Sequence, residues 1–135
     1  MYILIIARGY PSPRYPMNGI FEFDQARALN KSGHKVIYAS IDLRSIRRRR
    51  KLGLMDFLYD GIQIVQLSIP LGNIPQKIFD KIGTRALRYL YRKVKKKYGS
   101  PDIVHAHFLD NGVLAADLCS DSTMPPLVIT EHSSE

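Results

Sequence analysis

The chain opens on an unbroken apolar run, Tyr2-Ile3-Leu4-Ile5-Ile6-Ala7, the pattern of a strand buried on both faces of a parallel sheet. The glycine and prolines of Arg8-Gly9-Tyr10-Pro11-Ser12-Pro13 stop it. The period then becomes helical: Phe23, Ala26 and Leu29 recur at threes, with Asn18 as the expected N-cap and Gly33 as the residue that ends the helix. Val36-Ile37-Tyr38-Ala39 supplies the next strand. A βαβ unit of this kind carries its first loop at the carboxyl end of a strand, where open α/β sheets place ligands.

Further along, Met55–Tyr59 and Ile62–Leu67 flank Asp60-Gly61. That dipeptide predicts a hairpin with a type I′ turn, whose second arm joins the main sheet. Pro70–Pro75 reads as a loop. Over residues 76–98, Ile78, Ile82, Ala86, Leu90, Val94 and Tyr98 recur every four positions, widened by Phe79, Leu87 and Tyr91. This is a long amphipathic helix with Lys77, Lys81, Arg85, Arg88, Arg92 and Lys96 on its other side. Gly99-Ser100-Pro101 ends it. A strand over Asp102–Phe108, a helix at about 111–121 and a strand over Leu127–Thr130 follow. The alternation predicts an α/β fold: a Rossmann-like, doubly wound and mostly parallel sheet.

At 135 residues the chain is long enough for one domain. No apolar run approaches the roughly 18–20 residues of a spanning helix, and Tyr2–Ala7 lacks a basic segment before it, so a cytoplasmic location is expected. The single Cys119 excludes an internal disulfide and reads as a small buried helix residue. Charge changes the picture more. The net charge is +8, six of the 20 basic residues fall in Arg44–Lys51, and nine more fall in Lys77–Lys97. Such a field attracts anionic lipid headgroups, phosphorylated ligands or nucleic acid, or serves only to keep the surface solvated. No aromatic residue interrupts Arg44–Lys51, which argues against a nucleic-acid reader.

Three polar clusters fall at carboxyl ends of expected parallel strands and so along one sheet edge: Arg14 with Asn18-Gly19, His105-Ala106-His107 with Asp110, and Glu131-His132-Ser133. A glycine at a helix start lets a ligand approach the backbone, and the free N–H groups there favour an anion. His105 and His107 share a strand face. The first is expected to be packed and hydrogen-bonded inside the sheet, the second to reach a ligand. The spacing is not that of a zinc site, and no metal is expected.

The ordered set "YPMNGIFEFDQARALNKSGHKVIYAS", "PDIVHAHF" and "PLVITEHSS" resembles the N-terminal half of family-4 glycosyltransferases, which have the GT-B fold. The resemblance covers essentially the whole chain. It implies the acceptor-side domain of a retaining enzyme that moves a sugar from a nucleoside-diphosphate sugar to an acceptor, with the donor as substrate and no cofactor. Gly19 and Asn18 would lie near the donor diphosphate and the acceptor. His107 would lie beside the transferred sugar as the catalytic residue, and His132, with Glu131 and Arg14, would line the same cleft. In the family a C-terminal domain holds the nucleotide-sugar; that domain is expected as a missing partner, and the chain alone is expected to be inactive. Many members sit peripherally on membranes, which would make Arg47, Arg48, Arg49, Arg50, Arg88 and Arg92 membrane-facing. The other reading is a non-catalytic Rossmann-like module whose basic face binds anionic lipid or nucleic acid.

Overall fold

A computed structural model describes residues 1–44 and 53–132. Six strands form one sheet in the order β3-β4-β2-β1-β5-β6. The elements run β1 (Tyr2–Ala7), α1 (Ile20–Lys31), β2 (Lys35–Arg44), β3 (Gly53–Tyr59), β4 (Ile62–Leu71), α2 (Gln76–Tyr98), β5 (Ile103–His107), α3 (Leu109–Leu118) and β6 (Leu127–Thr130). All neighbours pair in parallel except β3, which runs antiparallel to β4 at one edge. The hairpin turns at Asp60 and Gly61, both at positive φ (49° and 79°), as a type I′ turn requires.

Side chains alternate across the central strands. Ile3, Ile5 and Ala7 face α1 and pack with Phe23, Ala26, Val36, Tyr38, Ile62 and Ile64. Leu4 and Ile6 face the opposite layer with Leu87, Leu90, Val94 and Ala115 from α2 and α3. On the α1 side the apolar set gives out toward the carboxyl ends of the strands, where Ser40, Asp42, Gln66, Ser68, His105 and His107 are buried instead. Burying polar groups costs free energy unless each is hydrogen-bonded, so this strip is the first sign of where the fold has been shaped for something other than stability.

Several boundaries differ from expectation. Asn18 does not cap α1. Gly19 is the N-cap, at φ 66°, with no side-chain bond to the helix; a side chain there would meet the Gly9 carbonyl oxygen at 2.1 Å. β2 is longer than Val36–Ala39, and β4 runs on to Leu71 through the stretch expected as loop. Pro70 is tolerated because it lies beyond Ser68, the last β4 residue paired with β3, so its missing N–H removes no rung there. α3 begins at Leu109 and ends at Leu118, a few residues earlier than the sequence suggests. Gly33 stands at φ 94° just beyond α1, as a helix stop does. The basic residues Arg47, Arg48, Arg49 and Arg50 lie outside the described residues.

Candidate functional site

Strand order reverses beside β1: the chain passes from β1 outward to β2 and β4, then returns to place β5 on the other side. Because α1 leaves β1 toward one face and α3 leaves β5 toward the other, the carboxyl ends of β1 and β5 open a crevice.

One wall is the loop from Arg8 to Gly19. Three short-range backbone bonds fold it, Ser12 N–H to Tyr10 (2.9 Å), Tyr15 to Ser12 (3.1 Å) and Asn18 to Tyr15 (3.1 Å). Tyrosines anchor it from below. The Tyr38 hydroxyl donates to the Gly9 carbonyl at 2.5 Å and lies 3.4 Å from that of Gly19. Tyr59 donates to the Pro11 carbonyl at 2.9 Å, and Tyr10 packs edge-on against Phe57 and Tyr59. Burial, and then the negative charge of Glu22, push the Tyr38 phenol far above its ordinary range, so it stays a donor.

The other wall is histidine. His105, level with Ile5 of β1, bonds through Nε2 to Thr130 Oγ1 at 2.7 Å, the packed, satisfied role the sequence suggests. His107 is fully buried; its Nδ1 lies 2.8 Å from Nε2 of His132. The rings form a ladder: His105 on His107 at 4.4 Å, His107 on His132 at 5.1 Å, and His132 on Phe21 at 5.8 Å. Nε2 of His107 has no hydrogen-bond partner in the structure. Desolvation, with smaller contributions from His105 and His132, pushes the His107 pKa down to about 4. His105 is lowered too, by burial and then by His132. Both imidazoles are therefore neutral near neutral pH.

Glu131 and His132 follow β6 as expected, but the Glu131 carboxylate is engaged with backbone. It accepts from Leu109 N–H at 2.8 Å and from His132 N–H at 3.0 Å, so it satisfies an orphan donor at the start of α3. Gly19 and Asn18 stand at the α1 end of the crevice, with Asn18 closing over Gly9. Arg14 is exposed on the outer part of the loop, 5.7 Å from the Tyr15 ring. Arg88 lies elsewhere, bonded to Asp117 of α3 at 2.9 Å. With the exposed Arg92 it lines a cleft of about 450 Å³ between α2 and the α3 end.

Sequence reasoning missed Arg8, Phe21, Glu22 and Phe108. Arg8 lays its guanidinium 3.5 Å over the Phe108 ring and brings Nε to 3.8 Å from Glu22. Phe108 holds φ 70°, a costly value for a side-chain-bearing residue, and touches His132 at 4.9 Å. Glu22 was legible in principle. It sits four residues before the buried Ala26, on the row of α1 that must face the sheet.

Among the described residues no three His, Cys, Asp or Glu side chains are arranged to hold a metal ion. None of the helices there is long and apolar enough to cross a membrane.

No curated protein matches the chain. Among the solved structures that resemble it are two that each match at 16% identity over 98% of this chain: sucrose-phosphate synthase from Thermosynechococcus elongatus, with a TM-score of 0.69, and the catalytic domain of starch synthase IV from Arabidopsis thaliana bound to ADP and acarbose, with a TM-score of 0.60. The chain spans about a third of each, 33% and 34%. The fold is that of the N-terminal half of a GT-B enzyme. With the model of Glycosyltransferase Family 4 matching residues 23–135, this chain belongs to glycosyltransferase family 4.

Proposed function

We propose that the chain forms the acceptor-side wall of a retaining glycosyltransferase active site, which moves a sugar from a nucleoside-diphosphate donor to an acceptor. The observation that carries this is His107, a fully buried histidine at the switch-point crevice with one nitrogen tied to His132 and the other without a partner. A buried donor or acceptor left open is expensive, and a sugar hydroxyl is the right size and polarity to complete it. Because its pKa is held near 4, His107 works as a neutral hydrogen-bonding group. If His132 Nε2–H donates to Nδ1, the proton of His107 stands on Nε2 and points at the ligand.

The first-turn N–H groups of α1, opened by Gly19 and Asn18, suit one end of a diphosphate, while Arg14 on the lip and Glu131 beside His132 border the cleft. The second wall and most of the nucleotide contacts would come from a C-terminal domain. Support for a nucleotide donor comes from the starch synthase relative, whose structure holds ADP. No metal or other cofactor is part of this reading.

The exposed basic side of α2 supports a second element: peripheral attachment to the cytoplasmic face of an anionic membrane. Arg47–Arg50 would add their charge, and Arg92 would contribute more than Arg88, whose charge is already paired.

The test is transfer of radiolabel from a panel of nucleotide-sugars by the gene product including whatever follows residue 135. We expect transfer by that protein, none by residues 1–135 alone, and a fall of about a hundredfold in His107→Ala. Turnover by residues 1–135, or full activity of the variant, would refute the reading. Sedimentation with phosphatidylglycerol vesicles tests attachment; binding untouched by charge reversal at Arg47–Arg50 and Arg92 would remove it.

A further inference from the structure

Among the described residues, the carboxyl of Glu22 is the charged group with the least satisfied burial. The residue is 0% exposed, and neither oxygen has a hydrogen-bond partner. Its nearest cation is Arg8 Nε, at 3.8 Å too far for a hydrogen bond. An enclosed carboxylate without hydrogen bonds is a costly arrangement, and a core position one row from Ala26 would be better filled by an apolar side chain. Such a group persists when something outside the chain completes it.

Its surroundings say what. Glu22 lies in the first turn of α1, at the β1 end of the crevice, beneath an arginine whose own side chain is 45% exposed and rests on Phe108. An Arg8 side chain turned off that ring would leave the Glu22 carboxyl facing the crevice. A phosphate seated on the Glu22 carboxylate itself, away from the N–H groups at the helix end, would meet a fixed negative charge, and an ammonium would meet the guanidinium. A hydroxyl suits both, since it donates to the carboxylate and accepts from Arg8. Next to them Phe21 is 62% exposed, with one face against His132, an aromatic surface of the kind that packs on the C–H face of a sugar ring.

We propose that Glu22 and Arg8 form a hydroxyl-reading pair in the acceptor subsite, selecting a neutral sugar ring there over a phosphorylated or amino group. This rests on the glycosyltransferase reading above and adds the acceptor's chemistry at one end of the crevice.

Glu22→Gln keeps the shape and removes the charge. Saturation-transfer NMR with methyl α-D-glucoside, methyl α-D-mannoside and methyl α-D-galactoside, and separately with glucose 6-phosphate, reads the site. We expect at least one glycoside to bind the wild type more tightly than the phosphate. In Glu22→Gln we expect that glycoside to weaken about tenfold and the preference over phosphate to narrow. Thermal unfolding adds a readout that a structural role would reverse: the variant should melt at or above the wild-type temperature, because a buried carboxylate without hydrogen bonds has gone. Unchanged glycoside binding in the variant would overturn the pair while leaving the transferase reading intact. Failure of every glycoside to bind the wild type would overturn it too, and the labelled-transfer assay then decides separately whether the chain serves a transferase.

Discussion

Replacing Gly19 by alanine tests how the crevice loop is held. Two effects add. Gly19 has φ 66°, where a Cβ costs about 1–2 kcal/mol. That Cβ would also fall 2.1 Å from the Gly9 carbonyl oxygen and 3.1 Å from the Tyr38 hydroxyl. The oxygen cannot move freely, because it accepts the Tyr38 bond at 2.5 Å. Overpacking against a fixed partner adds about 1–3 kcal/mol, for a total of about 2–5 kcal/mol in urea denaturation. For a chain of this size that lowers Tm by about 10 °C. Gly33→Ala is the control: φ is 94° and nothing lies within 4 Å of the added carbon, so only the backbone cost of about 1–2 kcal/mol applies. The difference between the two variants isolates the packing of the loop onto Tyr38. Equal losses would refute the claim that Gly9, Gly19 and Tyr38 clamp the loop.

Stability should fall on acidification below about pH 6.5, because the unfolded chain then binds a proton that folded His107 refuses until about pH 4. The loss is complete near the lower value and amounts to about 2 kcal/mol once partial solvent screening is allowed for. Urea denaturation at about pH 7 and about pH 5 should show a smaller difference in His107→Phe than in the wild type; an equal difference would acquit this residue. Tyr98→Phe should cost about 1 kcal/mol, since the Tyr98 hydroxyl bonds both oxygens of Asp56 (2.7 and 2.9 Å) and ties α2 to β3. Burial works to raise the Asp56 pKa, but bonds from Lys97, Tyr98 and Gln63 outweigh it and hold it below the ordinary carboxylate range. NMR titration of the variant should therefore show Asp56 moving up, and an unmoved value would contradict that account.

The fold was readable because its dominant signals are local. Tyr2–Ala7 has no polar residue to place it anywhere but between two layers, and the fourfold spacing from Ile78 to Tyr98 marks α2 with the bounds it has in the structure. Asp60-Gly61 dictated its turn. What escaped depends on contacts distant in sequence. The choice of Gly19 over Asn18 as cap follows from Gly9, ten residues back, which leaves no room for a Cβ. The extension of β4 through Pro70 depends on where β3 stops pairing. His105 and His107 could be placed on one strand face by period alone, but their partners Thr130 and His132 come from β6 and its end, 25 residues on. Arg8 and Glu22 gave no motif; only β1–α1 geometry and Phe108 from a third element make them a pair.

The most direct measurement of the central claim is a crystal structure of the full gene product with a nucleotide-sugar bound. The account predicts the sugar in the crevice between the carboxyl ends of β1 and β5, with a hydroxyl within hydrogen-bond distance of His107 Nε2 and Arg8 turned away from Phe108. A sugar bound elsewhere, with His107 Nε2 still without a partner, would contradict it.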